Sequence, residues 1–449
     1  MNSQKKKIKF LLWSYLFLLI FEGALRKWFL PFLSTPLLLV RDPIALLALF
    51  WAWPLLIKSI YWVRIQILIY IGLIGFILAL YVGHGDWFTA LYGLRIYWIQ
   101  LPLIFVFPLV FTRSDVLRAL WATMLISVPM VLLITAQSST PPSHILNVAP
   151  GGSGTSAFSG AAGKYRPSAI FSFTNSVATF FTFSAASLMS VLYGSTLENR
   201  NKNCKQKYIA PVNLKRLIIL LCLLSLVIAL PVSISRRLMA NYAIVFVTTM
   251  VISIVTRTRI LSLIYGLIIV YFLSLAALSV PLVKDATDAF ALRWELAAQA
   301  EASDGSESNA EVVGDLLQGR VLSQYTAPII HRDSYPLLGH GIGMGSNIGA
   351  VRLSGNRKFL LGETSWGKQM GELGLFLGTI FIFWRISLSY YIVRLFINEI
   401  IHNHNLTTAI LASSSLWGVL SGQLGQSSGL GFIVATTGLT LASSVLDNE

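Results

Sequence analysis

Charge is scarce in this chain. Asp, Glu, Lys and Arg make up 12 % of its 449 residues, whereas a soluble domain carries about a quarter. With 55 % hydrophobic residues and a mean hydropathy of +0.70, the scarcity excludes a single aqueous globule. Lipid must serve as solvent, so every spanning backbone group needs an internal partner. Alternating ten-residue segments are missing, which excludes a β-barrel and leaves helices. Cysteine is nearly absent as well. Cys204 lies in a basic stretch and Cys222 inside an apolar run, so neither a disulfide framework nor a thiolate metal site is expected. No internal repeat and no soluble nucleotide-binding segment is present. The glycines of GHGIGMG (339–345) lack the strand–helix setting of a dinucleotide fingerprint. They are expected to allow tight turns around a sugar or a lipid headgroup.

Apolar runs of helical length fall near 10–25, 43–57, 62–83, 94–111, 115–136, 169–193, 217–234, 238–256, 260–283, 372–393, 406–424 and 428–446. The reading is an all-α, polytopic integral membrane protein with about 12 transmembrane helices. Residues 1–283 hold helices one to nine, 284–371 form a large loop, and 372–449 hold helices ten to twelve. The last two runs are rich in Gly and Ser and are the least regular pair. MNSQKKKIKF opens like a signal peptide, but FEGALRKWFLP follows where a small-residue cleavage site belongs. The first helix is therefore read as uncleaved.

Cations set the orientation. With the N-terminus cytoplasmic, the inner segments carry Lys5, Lys6, Lys7, Lys9, Lys58, Arg64, Arg113, Arg118, six cations between 200 and 216, Arg257, Arg259 and Arg394. That makes 17, against 8 in the short outer segments. Both termini are then cytoplasmic and the 284–371 loop is extracytoplasmic. The net charge of +15 sits between apolar runs, which points to lipid headgroups and anionic ligands and away from nucleic acid.

The outer cations run against the topology rule, so they are candidates for another use. Arg41 and Asp42 interrupt PLLLVRDPIALLALF, Arg95 interrupts YGLRIYWIQLPLIF, Arg166 opens YRPSAIFSFTN, and Arg236 and Arg237 close PVSISRRLMANY. Ionisable side chains at membrane depth face a cavity or a partner. Converging guanidiniums match phosphate oxygens in a bidentate fork. The ordinary alternatives are that Arg26 and Lys27 snorkel beside Trp28, and that Arg41 and Asp42 form a structural ion pair.

Four segments resemble the O-antigen ligase and O-antigen polymerase superfamily of bacterial envelope glycosyltransferases. RPSAIFSFTN (166–175) is similar to its Arg-x-x-Gly-x-Phe-x-x-x-Asn segment, with Ala169 in place of the usual Gly. SISRR (233–237) resembles its Ser-Arg turn, and GRVLSQYTAPIIHRDSYPLLGHGIG (319–343) its outer-loop arginine and glycine run. ETSWGKQMGELGLFLG (363–378) is similar to its His-Asn…Glu-x-Gly segment. The resemblance covers residues 90–395. It implies a bacterial inner-membrane enzyme that moves a glycan from a polyprenyl pyrophosphate to an acceptor hydroxyl, without metal or cofactor. The chain also lacks the Asp-x-Asp pair that serves nucleotide-sugar donors.

On that resemblance Arg236 and Arg320 bind the donor pyrophosphate, joined by Arg166, Arg237 and Arg41. Lys368, Glu372, Arg95 and Arg293 are substrate-binding or structural. Glu363 stands where the ligase branch has His and is the candidate base. His331 and His340 match no motif position. The expected partners are the lipid-linked glycan, membrane lipids and other polysaccharide assembly proteins. The missing His favours a polymerase over a ligase acting on lipid A-core. A transporter, related to bicarbonate-uptake members of the superfamily, and a non-catalytic assembly protein are the readings from other classes.

Overall fold

The computed structural model describes residues 3–160, 163–194, 212–256, 260–302, 323–330, 334–355, 360–362, 364–403 and 405–445. Long apolar runs become long helices because lipid leaves a backbone no other way to satisfy itself. Nine helices among the described residues are long and apolar enough to cross a membrane. They are α1 (Ser3–Phe29), α2 (Pro31–Ile57), α3 (Trp62–Tyr81), α4 (Trp87–Val110), α5 (Arg113–Ser139), α6 (Thr174–Tyr193), α7 (Asn213–Val232), α8 (Arg236–Val255) and, later in the chain, the helix Ser365–Ile401. Between them come α9 (Ile260–Leu278), α10 (Pro281–Ala302), α11 (Ser323–Ile330) and α12 (Asn347–Ser354). The Ser365–Ile401 helix is α13, followed by α14 (Leu406–Ser421) and α15 (Ser427–Ser443). The only strands among the described residues are β1 (Phe158–Ser159) and β2 (Tyr165–Arg166), an antiparallel pair. The chain is an all-α, multi-pass membrane protein.

The Gly- and Ser-rich pair is the centre of the bundle. Every residue of α15 from Leu430 to Ser443 is buried, whereas α3 exposes Val63, Tyr70, Leu73, Ile74 and Ile77. A helix enclosed by protein needs small residues for close packing, not lipid-facing bulk. A Cβ added at Gly438 would lie 2.4 Å from the Phe107 ring. The weak apolar signal of this pair is thus the mark of its burial.

Two boundaries differ from the expectation. The ninth run ends at Leu278, and after two residues the chain turns through 105° into α10, so the 284–371 segment begins as helix. The tenth span starts at Ser365, seven residues before the expected 372, with the Thr364 side chain accepting from the Gly367 amide. Lys368 is therefore a helix residue, not a loop residue, and both it and Glu372 are buried.

At Gly374, α13 is broken (φ 78°, ψ 178°). The glycine run enters this break. The His340 and Gly341 amides donate to the carbonyls of Gly371 and Glu372, and the Leu375 amide donates to that of Pro336. A Cβ on Gly374 would lie 2.4 Å from the Gly339 nitrogen, so both positions need the absence of a side chain. These glycines serve a close approach between backbones.

Candidate functional site

The termini of several helices and the 140–173 segment gather at one end of the bundle. Arg26 donates to Ser172, Arg41 to Ser427, His84 contacts the Ile342 carbonyl, and Arg352 holds Asp86. These are the segments that the cation count assigns to the outside. They contain two groups of arginines with different surroundings.

The first group is built on α1, α2 and α4. Glu22 accepts from Arg41 at 2.7 Å and from Arg26 at 3.3 Å. Asp42 accepts from Arg95 at 2.7 Å and from Gln100, and Gln100 in turn accepts from the Tyr15 hydroxyl. Arg95 also donates to the Tyr92 hydroxyl, and Arg41 to the carbonyl and hydroxyl of Ser427. Each guanidinium here has a carboxylate. The expected Arg41–Asp42 pair does not form, because adjacent residues on a helix point apart. Arg41 pairs with Glu22 and Arg95 with Asp42. Arg26 and Lys27 do not snorkel either. A π-helical turn at Leu25–Phe29 buries both, with Lys27 2 % exposed and donating to Ser156, Ser168 and the Ala169 carbonyl.

Lys27 and Gln137 together fix the segment that carries Arg166. Gln137 donates to the Ala169 carbonyl and accepts from its amide. This holds Ala169 at φ 51°, the left-handed conformation that favours glycine. It is the position at which the resemblance leads one to expect Gly.

The second group surrounds the turn between α7 and α8. Ile234 is also left-handed, at φ 47°, and its carbonyl accepts from Arg293 of α10. Ser235 caps α8 by accepting from the Leu238 amide, which puts Arg236 and Arg237 at the helix's first two positions. The helix dipole opposes cations there, by about 0.3–1 kcal/mol each. Arg236 lies 5.9 Å from the Trp294 ring of α10. Arg166, at the end of β2, is pushed down to about 10 by burial first and then by the charges of Arg293 and Arg236. It remains cationic at neutral pH. The Nε atoms of Arg166 and Arg237 are buried without a hydrogen bond. Beside the turn is a cavity of about 250 Å³ lined by Ser138, Lys164, Ile234 and Asp285, where Lys164 and Asp285 are 3.4 Å apart. The arrangement concentrates positive charge at a helix N-terminus, which is a setting for an anion.

Glu372 and Lys368 lie apart from these groups. Glu372 accepts from the Gly345 amide at 2.7 Å, and Lys368 donates to Gln423. Buried Arg385, lower on α13, donates to the carbonyls of Val419 and Gly422 and to Ser365. His340 is exposed and contributes its backbone to the α13 break. Arg320, Glu363 and His331 lie outside the described residues. Among the described residues no cluster of His, Cys, Asp or Glu could hold a metal.

Glu22, Gln100 and Ser427 were not singled out from the sequence. Glu22 left one signal, a lone acid in an apolar run four residues before Arg26. Compared with known proteins, the chain matches no family model, no curated protein and no solved structure.

Proposed function

We propose that the chain is a polymerase-type glycosyltransferase of a bacterial inner membrane, elongating O-antigen or exopolysaccharide from a polyprenyl-pyrophosphate donor on the outer face. It crosses the membrane twelve times, with both termini cytoplasmic. The observation that carries the reading is the convergence of Arg166, Arg236 and Arg293 at the start of α8. In the reaction the acceptor hydroxyl oxygen bonds to the anomeric carbon while the bond from that carbon to the pyrophosphate oxygen breaks. The electron pair leaves with the pyrophosphate, and the hydroxyl proton passes to a base, the role the resemblance gives Glu363. Fixed guanidiniums stabilise the charge that develops on the leaving group. Arg320, by the same resemblance, adds a second contact. Arg41 and Arg95 act one step away, since their charges are engaged by Glu22 and Asp42.

The test is elongation of lipid-linked repeat units by the purified protein. Products longer than one repeat support the reading. Transfer onto lipid A-core alone would make the chain a ligase. A deletion strain should accumulate lipid-linked single repeats and display short surface glycans.

One observation favours a second reading, a transporter. Buried Glu372 lies beside the break of α13, and broken helices with buried charges mark transport pathways. Solute uptake by proteoliposomes, with no elongation activity, would select it.

A further inference from the structure

A larger cavity lies at the same end of the bundle, beside the first arginine group. Its volume is about 950 Å³, at the upper end of ligand-pocket size. Phe88, Tyr92, Phe158 and Phe173 supply its aromatic surface, with Asn347 and Gln426 among its amide groups. The charges along it are compensated in place. Arg26 and Glu22 are paired, and Arg352 grips both carboxylate oxygens of Asp86, at 2.8 and 2.9 Å. Such a wall suits an uncharged molecule with an apolar face and many hydroxyls. A sugar ring has that form, with C–H groups to lie on an aromatic ring and hydroxyls to meet amides.

The β-hairpin joins this cavity to the second arginine group. Phe158 of β1 pairs directly with Arg166 of β2. Opposed residues on an antiparallel pair share a face, with Cβ atoms about 5 Å apart. Phe158 also packs on Phe173, with ring centroids 4.9 Å apart. Phe158 of the aromatic wall and Arg166 of the second arginine group therefore face each other on one small element.

We infer that this cavity binds a short stretch of the acceptor carbohydrate and delivers its terminal hydroxyl toward a pyrophosphate held by Arg166, Arg236 and Arg293. The inference rests on the donor reading above for its direction, but not for sugar binding itself.

Two probes separate the two. One is an oligosaccharide released by mild acid from the producing strain's surface polysaccharide, followed by saturation-transfer NMR on purified protein in nanodiscs. The other is farnesyl pyrophosphate. Val351→Trp fills the cavity from an exposed position, and Phe158→Ala removes a stacking surface. Each should weaken oligosaccharide binding about tenfold or more, a loss of about 1.4 kcal/mol. Farnesyl pyrophosphate binding should persist in Val351→Trp, which also establishes that the variant is folded. Arg236→Lys should do the reverse, keeping the sugar and losing the pyrophosphate. Undiminished oligosaccharide binding in both cavity variants, or none by the native protein, overturns the inference. So does a phospholipid that co-purifies with the native protein and is absent from Val351→Trp. Sugar binding without any pyrophosphate binding would leave the cavity standing and remove the donor reading.

Discussion

The two arginine groups occupy the same end of the bundle and share a residue type, yet their surroundings differ. Around Glu22 and Asp42 each guanidinium meets a carboxylate, and the result ties α1, α2, α4 and α15 together. Around Ile234 the cations crowd a helix N-terminus, and Arg166 is lowered by burial first and then by its neighbours' charge. Removing a charge from the first group leaves a buried ion without a counter-charge. Removing Arg236 or Arg293 takes away a charge that lowers Arg166. Sequence position alone does not separate these cases, because Arg26, Arg41, Arg95, Arg166, Arg236 and Arg237 all interrupt or border an apolar run.

The contrast is broken most severely by Glu22→Gln. It leaves Arg26 and Arg41 facing a neutral amide, at a cost of about 3–5 kcal/mol for a buried pair that loses one partner. Folded protein in the membrane should fall sharply, measured by the yield of monodisperse protein after detergent extraction. Arg236→Lys should leave that yield unchanged and lower elongation about 100-fold, the loss expected when one donor to a developing anion is displaced. Near-native elongation by Arg236→Lys would move the anion site elsewhere.

A subtler distinction comes from pH. In the proposed site the protonated Arg166 is the form that would bind an anion, and its charge is lost as pH rises through about 10. Affinity for a prenyl pyrophosphate should therefore be level around neutrality and fall as pH passes that value. An Arg166→Gln variant should lack this component of the fall. The smallest effect belongs to Ala169→Gly. A left-handed residue with a Cβ costs roughly 1–2 kcal/mol, and the extra freedom of Gly in the unfolded chain returns about half of that. The melting temperature should rise by a few degrees or less, with elongation unchanged.

The lipid-facing helices were legible because lipid contact demands unbroken apolar residues. The run at 62–83 corresponds to α3, Trp62–Tyr81. The early start of α13 was not legible. Lys368 falls in the expected loop and Glu372 at the expected helix start, and only the distant Gln423 and Gly345 show why they can be buried. The order of the 140–173 segment was hidden for the same reason, since it depends on Lys27 reaching Ser156 and Ser168 more than a hundred residues away. Arg166, Arg236 and Arg293 were each singled out in the sequence. Their gathering around one turn needed α10 to bend back by 105°, and no local pattern encodes that.

The central claim is that the group around Ile234 binds a lipid pyrophosphate whereas the Glu22 group holds the fold. It is tested most directly by the thermal shift of purified protein in nanodiscs on adding farnesyl pyrophosphate, with farnesol as the control. The native protein should be stabilised by the pyrophosphate and not by the alcohol, and Arg166→Gln/Arg236→Gln should show no shift with either. An undiminished pyrophosphate shift in that double variant would contradict the account.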